Sequence, residues 1–244
     1  MENITIVLKK GGDKALAESF ANKTGAIFSD KEGSGLSVLF DSKGVSLTGY
    51  GLTYQGDFNN MVRRVTDGRL LHEMIAKAVK TDKKGLTAVD ATAGMGEDSL
   101  LIAACGYDVT LHEQNPVVAL LLKDAVRRAK KIPELKAIAS RMHVVEGNSI
   151  ELLSNRLDPV DVIYLDPMFP ERQKSSLINK KLQLIQKMEA PCSEEDELFD
   201  AAIKAGPSKI IVKRPLKAPY LAGRKPNYSL EGKAIRYDCY ALLS

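Results

Sequence analysis

The sequence predicts an α/β protein in which a mostly parallel sheet carries helices on both faces, preceded by a small α+β unit. Three observations carry this expectation. From Leu86 onward, short β-prone apolar runs alternate with helical patterns, which implies parallel strands joined by right-handed crossovers. One strand-to-helix turn in that series is glycine-rich, "DATAGMGED" from Asp90 to Asp98. Residues 1–56 have another texture, with β-prone runs and one helical stretch separated by glycines and polar turns such as "SDKEGSG" and "DSKG". The expected division is therefore a small N-terminal α+β domain over 1–56 and the main domain over 57–244.

In the first part the β-prone runs are Ile4–Leu8, Gly25–Phe28, Leu36–Phe40 and Val45–Leu47, with a helix over Asp13–Lys23. "YGLTYQGDFNN" reads as a linker, and a helical segment over Arg69–Val79 leads into the second part. There the strands are Leu86–Val89, Tyr107–Leu111, Met142–Val145, Val160–Leu165 and Lys209–Val212. The helices between them are Asp98–Cys105, Pro116–Lys130, Ile150–Arg156 and Glu194–Ala205. The last run, "AIRYDCYALL", alternates with period two and suits an antiparallel strand at the end of the sheet.

Composition excludes several classes. With 44% hydrophobic and 27% charged residues in 244, the chain is of soluble globular type and large enough for one domain with an appendage. "MENITIVLKK" lacks the basic segment and long apolar core of a signal peptide. The longest apolar run, Pro116–Leu122, is far short of the roughly 20 residues of a membrane helix. Cys105, Cys192 and Cys239 are scattered without metal-ligand spacing, as expected of reduced thiols in a cytoplasmic protein. His72, His112 and His143 share no spacing either; they read as structural or exposed, and no metal site is expected. The net charge of +4 is small, but from Lys204 to Arg236 nine Lys and Arg stand against the single acid Glu231. From Glu171 to Lys187 there are five basic residues against one acid. A charge run is commonly a solvated face. Both runs here follow predicted strand ends, where open α/β sheets bind ligands, and so also suit a phosphate-rich partner.

The glycine turn is the first candidate site. Gly94 and Gly96 let the backbone turn sharply and approach a ligand, and the helix that follows offers unpaired N–H groups. Glu113 ends the next strand about twenty residues on, where nucleotide-binding α/β folds place an acid for the ribose hydroxyls. The turn is acidic at both ends, with Asp90 before it and Glu97 and Asp98 after it, and it lacks the third glycine of a dinucleotide fingerprint. A pyrophosphate would be repelled there. The ammonium and sulfonium of S-adenosylmethionine would be attracted, so the pattern favours that cofactor over NAD. After the third strand, "VVEGNSIELL" puts Asn148 and Ser149 at a turn bordering the same pocket, where they can meet the adenine edge or merely cap the next helix.

The second candidate is "VIYLDPMFPERQKS", which follows the fourth strand. The Asp166 carboxylate and Pro167 carbonyl suit hydrogen-bond acceptors for an exocyclic amine, holding its lone pair in line with a methyl donor. Phe169, braced by prolines, can stack on a base. Arg172, Lys174, Lys180 and Lys181 can hold flanking phosphates. "VKRPLKAPYLAGRKP" supplies an opposite wall through Lys213, Arg214, Lys217, Arg224 and Lys225. A bland reading of Asp-Pro alone is a strand-terminating turn; the conjunction with the glycine turn favours chemistry. An N-methyltransferase of another RNA guanine, of adenine N6 or of a protein amide would carry similar residues. A non-catalytic RNA-binding module or, more distantly, a nicotinamide-dependent oxidoreductase would share the fold.

"DATAGMGED", "EQNPVVALLL", "YLDPMFPERQKS" and "VKRPLKAP" closely resemble the RsmJ (YhiQ) family over about Phe58–Tyr240. The resemblance implies a Rossmann-like, S-adenosylmethionine-dependent methyltransferase acting on the exocyclic N2 of a guanosine in small-subunit (16S) rRNA. The implied partner is that rRNA or the ribosomal subunit, and the product is S-adenosylhomocysteine. The family's cofactor contacts fall on Glu97 and Asp98, Glu113 and Gln114, Asn148 and Ser149, and Asp166. Glu97 and Gln114 stand where the family tends to have arginines, and "RRVTDGR" (Arg63–Arg69) stands in place of a glycine-rich stretch.

Overall fold

The computed structural model describes residues 4–167 apart from 34, 67, 82 and 84, together with 184 and 194–242. Alternating apolar strands and helices assemble into a seven-stranded sheet. Its strands are β6 (Thr87–Asp90), β7 (Asp108–Glu113), β8 (Met142–Glu146), β9 (Val162–Leu165), β10 (Lys209–Pro215), β11 (Tyr228–Glu231) and β12 (Ile235–Ala241). They lie in the order β11-β12-β10-β9-β6-β7-β8. From β10 to β8 every pairing is parallel, while β12 runs antiparallel to both β10 and β11. The chain moves outward from β6 through β7 and β8, then returns to lay β9 on the other side of β6. The crevice beyond the ends of β6 and β9 is thus a topological switch point, where open α/β sheets hold their ligands.

The period of two along each strand separates the two faces. Ala88, Val162, Tyr164, Ile211, Tyr237 and Cys239 face a core shared with α3 (Met74–Ala78), α4 (Glu97–Ala104) and α6 (Pro133–Ala139). Their neighbours Val89, Ile163, Leu165, Ile210, Val212 and Tyr240 face a second core with α7 (Ser149–Ser154) and α8 (Glu195–Lys204).

The N-terminal residues form a separate five-stranded mixed sheet. Its strands are β1 (Thr5–Leu8), β2 (Ile27–Phe28), β3 (Ser37–Asp41), β4 (Gly44–Gly49) and β5 (Leu52–Tyr54), in the order β2-β1-β3-β4-β5. Helix α1 (Lys14–Thr24) starts at an Asp13 cap, whose carboxylate accepts from Leu16 N, and ends at Gly25 with φ +72°. This sheet packs on α5 (Pro116–Ala129), which explains the longest apolar run in the chain. Val117, Val118, Leu120 and Leu121 join the N-terminal core, while Leu122, Ala125, Val126 and Ala129 join the core of the large sheet. A helix apolar on nearly every side is one buried on nearly every side. Each such leucine contributes about 2–5 kcal/mol, judged by the cost of truncating it to alanine.

Three expectations need correction. The linker contains a strand, β5, joined to β4 by a two-residue hairpin at Tyr50 and Gly51 with φ +53° and +73°. Both central residues have the positive φ of a type I′ turn, and a tyrosine in that conformation carries no turn signature in sequence. The helix over Arg69–Val79 is interrupted: a 3-10 turn covers Arg69–His72, Glu73 is extended, and α3 follows. Glu73 instead receives a two-pronged bond from Arg64, at 2.7 and 2.8 Å. Finally, β12 is not the edge of the sheet, because β11 pairs outside it. Among the described residues no helix is long and apolar enough to cross a membrane.

Candidate active site

Strand β6 ends on Asp90, which the parallel register sets opposite Tyr164 of β9. Its side chain turns toward α4 and is 1% exposed. One oxygen accepts Ser99 Oγ at 2.5 Å and the other accepts Thr92 N at 3.0 Å. Burial raises its pKa to about 7 against these two bonds, which favour the anion. Asp90 therefore shapes the turn from within.

The turn itself places its two glycines differently. Gly94 has φ +50° and donates its N–H to Glu113 Oε2 at 3.1 Å. Gly96, at φ +74°, faces inward: a Cβ there would lie 2.7 Å from Leu122 Cδ1. A side chain there would strike α5, so packing alone already requires glycine at this position. Glu113 reaches the turn as anticipated, 8% exposed, and its other oxygen accepts Asn115 N at 2.7 Å. These two bonds orient the carboxylate at the turn.

Glu97 is exposed at the start of α4, and Gln114 is exposed after β7. Asn148 Oδ1 caps α7 by accepting Ile150 N at 2.8 Å, and Ser149 Oγ donates to the Ala91 carbonyl at 2.6 Å. The cap uses the oxygen of the Asn148 amide and not its nitrogen. The serine ties the turn after β8 to the turn after β6.

Asp166 follows β9 at the same edge. Its N–H donates to Thr92 Oγ1 at 2.6 Å, joining the turns after β6 and β9. Its Oδ2 lies 3.0 Å from Lys213 Nζ, and that nitrogen also sits 2.7 Å from Asp98 Oδ2. Asp98 accepts a further bond from the Tyr164 hydroxyl at 2.6 Å. Tyr237 packs behind, its ring tilted against that of Tyr164 at 6.4 Å. Burial opposes the charge on Lys213, but Asp166 and Asp98 outweigh it and hold the proton more tightly than usual. Tyr164 and Tyr237 are buried beside these carboxylates, which pushes both phenols up. Pro167 is buried next to Asp166.

The basic wall requires correction. Strand β10 extends through Pro215 and not to Val212 alone, so Lys213 and Arg214 are still strand residues and point to opposite faces. Lys213 enters the carboxylate cluster. Arg214, 1% exposed, donates to Glu195 Oε1 at 2.9 Å and to the Pro219 carbonyl at 3.2 Å on the α8 side. Neither forms an open phosphate-binding surface. Arg224 stacks over Phe199 at 5.3 Å and pairs with Asp200, while Lys217 and Lys225 are exposed. Phe169, Arg172, Lys174, Lys180 and Lys181 lie outside the described residues. His112 is buried, with its pKa pushed down to about 4 by burial and by Arg156, so it is neutral at pH 7; His72 and His143 are exposed.

Sequence reasoning missed Thr92, Ser99, Tyr164 and the Arg64–Glu73 pair, whose guanidinium lies within the field of Asp98 and Glu97. Tyr164 was accessible in principle, since it lies two residues before Asp166 and so on the same face of β9.

The donor set suits S-adenosylmethionine. An acid meets the glycine turn, two further carboxylates stand at the switch point, and a cationic cosubstrate is favoured there over a pyrophosphate. A family model described as "Putative SAM-dependent methyltransferase" matches residues 50–242. Proteins named "Ribosomal RNA small subunit methyltransferase J" are similar. That of Stutzerimonas stutzeri (strain A1501) is 45% identical over 171 residues, 69% of this chain and 66% of the relative. That of Dechloromonas aromatica (strain RCB) is 42% identical over 69% of each. The match thus spans about two thirds of the length of these relatives. Among solved structures, the SAM-dependent methyltransferase NGO1261 from Neisseria gonorrhoeae superposes with a TM-score of 0.75 at 28% identity, covering 97% of this chain and 95% of that one. The chain therefore belongs to the Rossmann-like S-adenosylmethionine-dependent methyltransferases, within the ribosomal RNA small subunit methyltransferase J family.

Proposed function

We propose that the chain is an enzyme that transfers a methyl group from S-adenosylmethionine to the exocyclic N2 of a guanosine in small-subunit (16S) rRNA. The observation that carries this reading is Asp166, held at the switch point by Thr92 and Lys213 beside the glycine turn. The names of the relatives, which specify small-subunit rRNA, support the substrate. The rRNA is met alone or within the ribosomal subunit, in the cytoplasm. Residues 1–56 form a unit that covers α5, and 57–244 carry the chemistry.

Bound S-adenosylmethionine supplies an electrophilic methyl carbon on a sulfonium centre. Toward it, Glu113 accepts from the ribose hydroxyls. The Asn148 amide and the backbone at Ser149 meet the adenine edge, while Asp90 holds the turn from behind. Asp98, Glu97 through its backbone, and Gln114 complete the surround. Asp166 Oδ1 and the Pro167 carbonyl accept the two amine N–H groups, so that the nitrogen lone pair points along the transfer axis. As positive charge develops on that nitrogen, the nearby carboxylate stabilises it, and the proton leaves to Asp166 or solvent. Phe169 stacks on the base, and Arg172 and Lys174 hold its phosphates.

Asp166→Ala tests the mechanism. A loss of about 10²-fold or more in transfer is expected, in a variant that still folds; near-normal turnover would sink it. Mapping methylated guanosines in small-subunit rRNA from cells lacking the gene tests the substrate. One guanine should lose its N2 methyl, whereas loss at an adenine or in a ribosomal protein assigns another target.

A further inference from the structure

The carboxylate cluster contains a cation to which the proposed chemistry gives no step of its own. Lys213 Nζ lies within 3.0 Å of Oδ2 atoms of both Asp98 and Asp166, and its side chain is 18% exposed. A lysine this enclosed is costly unless its charge is matched, and here two elements converge to match it. The groups around it are Asp98 of α4, Asp166 after β9, Tyr164 of β9 and Tyr237 of β12, with Asp90 of β6 beyond the two acids. Arg64, paired with Glu73, lies behind Asp98 and Glu97.

We propose that Lys213 is a positioning residue, whose bridge between Asp98 and Asp166 holds the Asp166 carboxylate through Oδ2 and aims its Oδ1 at the substrate amine. The inference rests on the methyltransferase reading above and adds a residue to it. Two carboxylates directed at one point resist simultaneous ionisation unless a cation lies between them. The ammonium between them offsets that repulsion, and occupation of Oδ2 leaves Oδ1 to meet the amine. The same enclosure argues against Lys213 as the base that removes the substrate proton. Its neighbours favour the protonated ammonium, which has no lone pair to offer. This is also why Lys213 does not act as an open phosphate contact: its charge is already committed inward.

Lys213→Met, Lys213→Gln and Lys213→Arg separate the possibilities. Transfer is followed against pH with both substrates saturating. The carboxyl resonances of ¹³C-aspartate-labelled protein are titrated in parallel without substrate, with Asp166→Asn for assignment. In the Met and Gln variants kcat at pH 7 should fall about 10²-fold. The acid limb of the kcat profile should move to higher pH, with KM for each substrate changed less than about threefold, and Arg should recover most of the rate. The Asp166 carboxyl should titrate at higher pH in the Met variant than in the parent chain. A uniform loss of rate with an unmoved limb and an unmoved carboxyl titration overturns the proposal and leaves Lys213 a packing residue. If Met destabilises the fold, the Gln variant carries the same comparison. The carboxyl titration needs no methyl transfer. A moved titration in a protein that fails to methylate rRNA therefore upholds the positioning role and refutes the proposed substrate, whereas the reverse pattern refutes Lys213 alone.

Discussion

Asp124 in α5 and Asp166 after β9 are both carboxylates drawn toward the interior, yet their surroundings differ in kind. Asp124 has a side chain 1% exposed and is saturated from three directions. It accepts Val45 N at 3.2 Å from the N-terminal sheet, Arg127 at 2.6 Å and Arg128 at 2.7 Å from its own helix. Gly44 is glycine because a Cβ there would lie 2.5 Å from Asp124 Oδ2. Arg128 also bonds the Gly56 carbonyl, so this acid and its arginine fasten the small sheet and the segment after it to α5. Asp166 is held by its backbone and by one oxygen, at a strand end, with 21% of its side chain exposed. The structural carboxylate engages both oxygens within the fold, whereas the one proposed for chemistry is held through a single oxygen.

Substitutions can break this contrast or sharpen it. The largest stability effect is expected at the saturated site. Asp124→Ala removes the shared acceptor of Val45 and two arginines, and should cost about 4 kcal/mol in urea unfolding. A cost below about 1 kcal/mol would mean that the latch is incidental.

Asp90 tests the intermediate case, an acid buried behind the site. Its folded pKa, near 7, lies above the ordinary 3.8. Between these values the native chain holds a proton that the unfolded chain releases. Stability therefore falls as pH rises from about 4 to about 7 and levels off above, a change on the order of 3 kcal/mol. Asp90→Asn should remove this slope, measured as urea midpoints at pH 4.5 and 8; an unchanged slope would assign it to other groups.

The smallest effect is expected at Arg214. Arg214→Met replaces a buried cation with a side chain of similar length, and Glu195 can turn to solvent. Stability should change by no more than about 1 kcal/mol, and the salt dependence of rRNA binding should not change at all. A salt slope reduced by about one ion would restore the phosphate contact that burial argues against.

How far the site was legible depended on distance along the chain. Glu113 could be placed near the glycine turn because one strand and one helix separate them, and right-handed crossovers fix where the second strand returns. Asn148 could be read as a cap or as a ligand, and it does cap α7. Lys213 and Arg214 were misread because their grouping as one basic wall treats charge as a property of sequence neighbourhood. Once β10 continues to Pro215, a strand sends adjacent side chains to opposite faces. Gly96 carries a packing demand that was not legible for a related reason. Its positive φ was visible as a turn requirement, but the atoms its absent Cβ would strike belong to α5, reached through β7.

The sequence by itself determined the alternation of strands and helices, the acidic glycine turn, the acid after β9 and the family. These are written in local periodicity, turn chemistry and short motifs. Only the tertiary structure decided the strand order, the burial of α5 between two sheets, and the joining of Asp98, Asp166, Tyr164 and Lys213 into one cluster. Those residues are up to 115 positions apart. Register and crossover, which are settled only when the whole sheet pairs, bring their charged atoms within hydrogen-bonding distance.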